Sequence, residues 1–143
     1  MKELTVIEKS GRPSIELLNQ YEEEIGAALP LDFRMFLMDY NPIEIRERGM
    51  TIEGKLLSMD RFFPFEDTNE LSLRSTNETL KDFFEGKYLT FGCDSGGWQY
   101  VISIQESDYG KVYFCRMDED LGEGFTLLAD TFEEFIERLE VAG

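Results

Sequence analysis

Residues 88–117 read YLTFGCDSGGWQYVISIQESDYGKVYFCRM, and this stretch decides the fold. Apolar and polar side chains alternate along it with a period of two, which predicts strands over Tyr88–Cys93, Trp98–Ile104 and Lys111–Met117. The two connections, Asp94–Gly97 and Ser107–Gly110, are rich in turn-forming residues. Short connections of this kind join antiparallel neighbours. We therefore expect a three-strand antiparallel meander.

Two helices are predicted ahead of the meander. The first follows Ser14, a favourable N-cap residue, and runs to about Ile25, where Gly26 ends it. The second covers about Leu31–Tyr40 and ends at the Asn41-Pro42 dipeptide. The apolar positions of the second helix recur at i, i+3, i+4 and i+7, and they are Phe33, Phe36, Leu37 and Tyr40.

The rest of the chain adds short strands and two more helices. Met50–Leu57 predicts one or two strands with Gly54 at a turn, and a third helix is predicted near Asn77–Phe84. Phe125–Leu128 predicts a last strand, and a final helix begins after Asp130 or Thr131. We expect one domain over residues 1–143. Its predicted class is α+β, an antiparallel-rich sheet with a C-terminal three-strand meander packed against flanking helices.

The residues that are missing narrow the chemistry. The chain has no histidine, which excludes Ser–His–Asp and Cys–His triads and histidine metal sites. Its two cysteines, Cys93 and Cys115, lack the CxxC spacing of a zinc site. They fall on the two strands that flank the central one, about 9–10 Å apart, too far for a disulfide. We expect no catalytic residue, no metal and no cofactor.

Charge points to the kind of partner. Thirty acidic and fourteen basic residues give a net charge of −16, and residues 118–143 alone hold nine acids and one base. Nucleic acids and anionic membranes are bound through Lys and Arg, so neither is an expected partner. A basic protein is attracted by this field, although an acidic face also serves solubility alone.

Two loops invite a ligand-binding interpretation. Asp118–Gly124 is rich in carboxylates but fails the EF-hand template, because Gly122 takes a ligand position and Glu123 takes the glycine position. Weak, irregular calcium binding there stays open. Gly92–Gly97 is rich in glycine, but no lysine follows and the segment leads into a strand, so a hairpin turn explains it better than a phosphate loop.

Four segments together resemble the SUKH superfamily, the Smi–Knr type domain. The first is IGAALPLDFRMFL at 25–37, followed by Tyr40-Asn41. The others are LTFGCDSGG at 89–97, GKVYF at 110–114 and LADTFEEFI at 128–136. They occur in order over about residues 15–140. One departure is Pro42, which follows Asn41 where the family commonly has a glycine pair, so this turn is expected to differ.

The resemblance implies an α+β domain whose bacterial members are immunity proteins that bind and neutralise toxin domains, often nucleases. Its motifs are structural and assign no catalytic residue. With the charge, it predicts a cytoplasmic immunity protein that covers a basic toxin surface with a carboxylate-rich patch. The candidate partner-binding residues are Glu66, Asp67, Asp118, Glu119, Asp120 and Glu123, with Trp98 and Tyr109 as aromatic anchors.

Three other functions stay open at this point. The superfamily also includes eukaryotic members that resemble signalling adaptors, so a regulatory protein-binding module is the main alternative. A binder of a small molecule or peptidoglycan fragment requires an apolar pocket with converging polar groups. An enzyme without histidine requires two converging carboxylates, one with a strongly raised pKa. The oligomeric state is not predicted.

Overall fold

The computed structural model describes residues 2–66 and 71–141. Within these ranges the chain forms nine strands and four helices. In chain order they are β1 (Val6–Lys9), α1 (Ile15–Ile25), α2 (Leu31–Asp39), β2 (Pro42–Ile45), β3 (Gly49–Ile52), β4 (Lys55–Ser58), β5 (Arg61–Phe62), α3 (Leu73–Phe84), β6 (Tyr88–Cys93), β7 (Gln99–Ser103), β8 (Val112–Cys115), β9 (Phe125–Ala129) and α4 (Phe132–Arg138). None of these helices is both long and apolar enough to cross a bilayer.

The predicted α+β class and the antiparallel meander are confirmed. The main sheet has five strands in the order β5-β6-β7-β8-β9, and every neighbouring pair is antiparallel. Cys93 and Cys115 lie opposite Gln99 on either side of β7, and both thiols are free, as the spacing predicted. Strands β7 and β8 are shorter than expected, because Trp98 and Met117 already belong to the connecting loops.

Two small ribbons flank this sheet. β1 pairs with β2, and β3 pairs with β4 around the turn at Gly54. The sequence predicted β3 and β4 but neither β1 nor β2, since β1 is short and mostly exposed and Pro42 is a poor strand residue. β2 follows directly after Asn41, whose backbone is left-handed at φ +42°. The buried Asn41 amide donates to the Gly11 carbonyl at 2.7 Å and accepts from the Phe65 amide at 2.7 Å.

Local caps set the helix boundaries. The Ser14 hydroxyl accepts from the Leu17 amide at 3.1 Å, and Gly26 adopts φ +71° at the C-terminus of α1. The third helix begins at Leu73, four residues before the predicted start. The reason is a reciprocal capping box, in which Ser72 and Ser75 each accept from the other's backbone amide.

Aromatic rings fill the core between the sheet and helices α2 and α4. Phe132 of α4 is fully buried, with ring centroids 4.8 Å from Phe36 and 5.2 Å from Phe91. Buried aromatic pairs at such distances add about 0.5–1.5 kcal/mol each beyond their area. A second, smaller cluster lies on the opposite sheet face, where Phe84 of α3 meets Val101 and Cys115. The sheet is therefore covered fully on one face and only partly on the other.

Candidate partner-binding surface

The β8–β9 connection carries most of the predicted binding residues. The sheet register places Cys93, Gln99, Cys115 and Phe125 side by side at one end of their strands. The β8–β9 connection therefore leaves the sheet at the same end as the β6–β7 turn. We call Asp118–Gly124 the acidic loop. The acidic loop is exposed at this end of the sheet, and the Tyr88 end of β6 lies at the opposite end.

Backbone contacts fix the shape of the acidic loop. The Arg116 amide donates to the Gly124 carbonyl at 3.0 Å, and the Glu123 amide donates to the Asp120 carbonyl at 3.0 Å. A Cβ atom at Gly124 would lie 2.6 Å from the Arg116 carbonyl oxygen, so the closing pair requires glycine there. Leu121 packs on the Phe84 cluster beneath the loop. The loop is thus held by its backbone and one apolar side chain, which leaves its carboxylates pointing outward.

The charges of the acidic loop are poorly compensated. Asp118, Asp120 and Glu123 are exposed, and none of them forms an ion pair with a described residue. Among the described residues, the cation that pairs with this loop is Arg116, whose guanidinium lies 3.7 Å from the Glu119 carboxylate. Both of these side chains are close to half exposed, so solvent screens the pair strongly. With four carboxylates and one paired cation, the acidic loop has a net negative charge.

Trp98 lies at the same end of the sheet as the acidic loop. Its indole ring packs edge-on against Phe114 with centroids 5.9 Å apart, and part of the ring is exposed. Its backbone amide donates to the Asp94 carboxylate at 2.9 Å, which also accepts from the Gly96 amide. Asp94 therefore builds the hairpin turn, and Trp98 is partly core and partly surface.

The other predicted residues lie elsewhere. Glu66 forms an ion pair with Arg74 at 3.1 Å. Both residues line a cleft that also contains Tyr88, towards the opposite end of the sheet. Tyr109 lies in the β7–β8 connection, also at the opposite end of the sheet from the acidic loop. It is 45% exposed, and its hydroxyl donates to the Ala28 carbonyl at 2.6 Å. Asp67 lies outside the described residues. Trp98 and the four loop acids thus follow strand ends at the same end of the sheet, but the Trp98 ring packs with the inner-face core and Leu121 of the loop packs on the opposite face. Glu66 and Tyr109 lie towards the other end.

The sequence analysis missed a group of aromatic and apolar side chains that are partly exposed. Tyr88, Tyr113, Phe125 and Leu127 share the sheet face that α3 covers only in part, and we call this group the outer sheet face. The Phe125 ring centroid is 4.8 Å from that of Tyr88 and 5.1 Å from that of Tyr113. Leu127, opposite Tyr113 on the edge strand, is 45% exposed. Alternation in the sequence separates the two faces of a sheet but does not show which of them the helices cover.

A carboxylate marks the far end of the outer sheet face. Asp108 accepts from the Tyr113 hydroxyl at 2.6 Å and from the Ser103 hydroxyl at 2.6 Å. Partial burial raises the pKa of this carboxyl, but hydrogen bonds from Ser103, Tyr113 and Gln105 outweigh it, so the net pKa is lowered. Asp108 is therefore ionised at neutral pH.

Comparison with known proteins agrees with this architecture. The family model of the SMI1 / KNR4 family (SUKH-1) matches residues 12–138. The chain belongs to this family. One relative is the SPbeta prophage-derived uncharacterized protein YokK of Bacillus subtilis (strain 168), which is 29% identical over an alignment covering 95% of this chain and 80% of that protein.

The SUKH family is known for immunity proteins and for regulatory, non-enzymatic members, which indicates binding to a protein partner. The resemblance found in the sequence is confirmed. Its motif residues occupy structural positions here. Asn41 joins two segments of the core, Asp94 shapes a turn, and Phe132 is at the centre of the aromatic core.

Little in the described residues of this SUKH chain is arranged for catalysis or metal binding. No group of three Asp, Glu or Cys side chains converges in a way that could hold a metal ion within residues 2–66 and 71–141. The described carboxyl with a shifted pKa is Asp108, and that shift is downward, opposite to what a general acid needs at neutral pH.

The cleft near Tyr88 has a volume of about 610 Å³ and lies between α1, α3 and the start of β6. Of its two lining cations, Lys81 pairs with Glu78 at 2.9 Å, and Arg74 is bound by Glu24 at 2.9 Å and Glu66 at 3.1 Å and lies over the Tyr21 ring. The guanidinium is therefore occupied by the protein's own carboxylates, which disfavours an anionic ligand in this cleft.

Proposed function

We propose that this chain is a cytoplasmic immunity protein that binds and neutralises a cognate toxin domain with a basic surface. The observation that carries the proposal is the acidic loop exposed at one end of the sheet. The chain that bears it belongs to a family known for immunity proteins. Its exposed carboxylates compete with phosphate groups for the basic face that a nuclease needs to grip nucleic acid. Covering that face excludes the substrate without any chemistry.

The charge of the whole chain supports fast association. A net charge of −16 on 143 residues attracts a basic partner over distances comparable with the Debye length, about 8 Å at physiological salt. Electrostatic steering raises association rates by factors of about 10–1000 and falls steeply with ionic strength. An immunity protein benefits from this speed, because the toxin must be intercepted before it acts.

A rescue assay tests the proposal directly. Where a gene for a large secreted protein lies beside this one, the C-terminal domain that it encodes is expressed in a laboratory bacterium, with and without this protein. Relief of toxicity, with a complex of the two purified proteins, supports immunity. Toxicity that this protein does not relieve contradicts the proposal for that domain and favours a regulatory adaptor.

A charge-neutralised variant tests the acidic loop. Asp118→Asn, Glu119→Gln, Asp120→Asn and Glu123→Gln are combined, and the matched control neutralises the exposed acids Glu3, Glu16, Glu23 and Asp82. Both variants lose four negative charges. We expect the loop variant to slow association with the toxin domain about tenfold and to flatten its salt dependence, with a smaller effect of the control. Equal effects would mean that net charge alone matters and that the loop is not at the interface.

A further inference from the structure

The outer sheet face has the composition of an interface centre. Tyr113 and Phe125 are half-buried, with ring centroids 5.1 Å apart, and Leu127 beside them is 45% exposed. The Tyr113 hydroxyl donates to Asp108 and the Tyr88 hydroxyl accepts from the Gln105 side chain, so both phenol oxygens have partners, and both residues are partly exposed. Aromatic residues of this kind dominate binding energy at protein interfaces.

The surroundings of this face are acidic. Asp108 lies at one end, and the acidic loop lies at the other, joined to the same side-chain cluster through Leu121. Three cations adjoin β6 and β8 in the sequence, and each is already paired with a carboxylate: Lys87 at 3.5 Å from Glu85, Lys111 at 3.7 Å from Asp130 and Arg116 at 3.7 Å from Glu119. A lysine or arginine from a partner would meet aromatic rings between the Asp108 carboxylate and the acidic loop, an arrangement that favours cation–π contact.

We propose that the outer sheet face is the apolar centre of the toxin-binding surface and takes a basic protein face with arginine or lysine side chains over the Tyr113 and Phe125 rings. This inference rests on the proposed function, because it names the contact surface of the same interaction. The acidic loop then forms the rim of the interface.

A second copy of the chain is a poor occupant of this face. Each copy carries a net charge of −16, and a symmetric contact through the outer sheet face would set the acidic loop of one copy against either the acidic loop or the Asp108 end of the other. Such a contact places like charges together at the rim, which disfavours association. Charge complementarity therefore selects a basic partner.

Leu127→Lys tests the inference, with Leu56→Lys as its matched control. Both leucines are exposed on short edge strands, at 45% and 59%, and both changes add one positive charge. We expect Leu127→Lys to raise the Kd for the toxin domain at least about thirtyfold, as at a hot-spot position, and Leu56→Lys to stay within about threefold of the native protein. Phe125→Leu, which keeps an apolar side chain but removes the ring, should raise the Kd about tenfold, with thermal unfolding used to verify the fold.

The outcomes separate this inference from the proposed function. If the native protein binds the toxin domain and the Leu127→Lys variant binds it equally well, the inference that the outer sheet face contacts the toxin is wrong, while the immunity function stands. If the native protein does not bind that domain, both fail together. A third variant examines α2, where Leu31 is 71% exposed and Met35 is 52% exposed. If Leu31→Lys weakens binding and Leu127→Lys does not, the partner docks on α2 and the inference is wrong.

Discussion

Asn77→Ala should be among the most destabilising substitutions in α3, because this buried side chain joins α3 to β6. Its amide nitrogen donates to the Leu73 carbonyl at 2.8 Å and to the Thr90 carbonyl at 2.9 Å, and its oxygen accepts from the Thr90 amide at 2.8 Å. Thr90 lies at the irregularity where β6 shifts register against β7. Its backbone is therefore satisfied by a side chain at a point where the sheet is interrupted.

The expected loss follows from these bonds. Each of the two bonds to Thr90 contributes about 1 kcal/mol net, and leaving a buried amide and carbonyl unpaired costs about 1–3 kcal/mol more. We expect Asn77→Ala to lower the free energy of unfolding by about 3–5 kcal/mol, a large share of the roughly 5–15 kcal/mol typical of a domain. At this chain length the melting temperature should fall by about 10–20 °C.

Urea denaturation measured by circular dichroism tests the value. The control is Thr79→Ala on the exposed side of the same helix, where the hydroxyl donates to the Ser75 carbonyl at 3.1 Å. That change should alter stability by no more than about 0.5 kcal/mol. A loss under about 1 kcal/mol for Asn77→Ala would refute the argument that the amide is the main support of the Thr90 backbone.

Three further predictions concern the core and the titrating groups. Gly92→Ala should lower stability by about 1–3 kcal/mol in urea denaturation, because the new Cβ would lie 2.7 Å from the Arg61 carbonyl oxygen, whereas Gly11→Ala, with no atom within 4 Å, should be nearly neutral. Burial first of all raises the pKa of five of the six tyrosines above the ordinary value of 10.0 (Tyr21, Tyr88, Tyr100, Tyr109 and Tyr113). Above about pH 10 the native state then holds protons that the unfolded chain has lost, so the tyrosine contribution to stability should be constant below about pH 10 and fall above it, with tyrosinate absorbance rising abruptly on alkaline unfolding; a gradual rise without unfolding would contradict this. Burial also raises the pKa of Cys115 to about 11, so its thiol should react with a disulfide reagent more slowly than the half-buried Cys93, and equal rates would contradict the buried position.

Much of the fold could be predicted because its signals are local. Ser14, Gly26 and Thr131 mark helix ends through caps that depend only on nearby backbone, and the meander alternates with period two around turn residues. The ribbon β1–β2 escaped prediction because its strands pair over a separation of more than 30 residues and one begins with proline. The early start of α3 escaped because a Ser72–Ser75 capping box replaces the commoner glutamate at the third position.

The candidate surface could be predicted only in part, for a similar reason. Charge density along the chain located the acidic loop, and hairpin position located Trp98 and Tyr109. Whether these residues share a surface depends on strand order and register, which place Trp98 at the same end of the sheet as the loop and Tyr109 at the opposite end. The outer sheet face depends on how far α3 extends over the sheet, a tertiary fact that the pattern of Tyr88 and Tyr113 does not contain.

The acidic loop and the outer sheet face should act on different steps of binding. Exposed charges such as Asp118 and Asp120 are screened by solvent, so each contributes little to the final complex but acts on the approach of the partner. Burying Leu127 and the Phe125 ring removes apolar area from water only after contact, so it slows dissociation. Loop neutralisation should therefore lower mainly the association rate, and Leu127→Lys should raise mainly the dissociation rate. Kinetic binding traces at two salt concentrations separate the two constants. If both variants changed only the association rate, the apolar face would have no part in holding the partner, and charge alone would account for recognition.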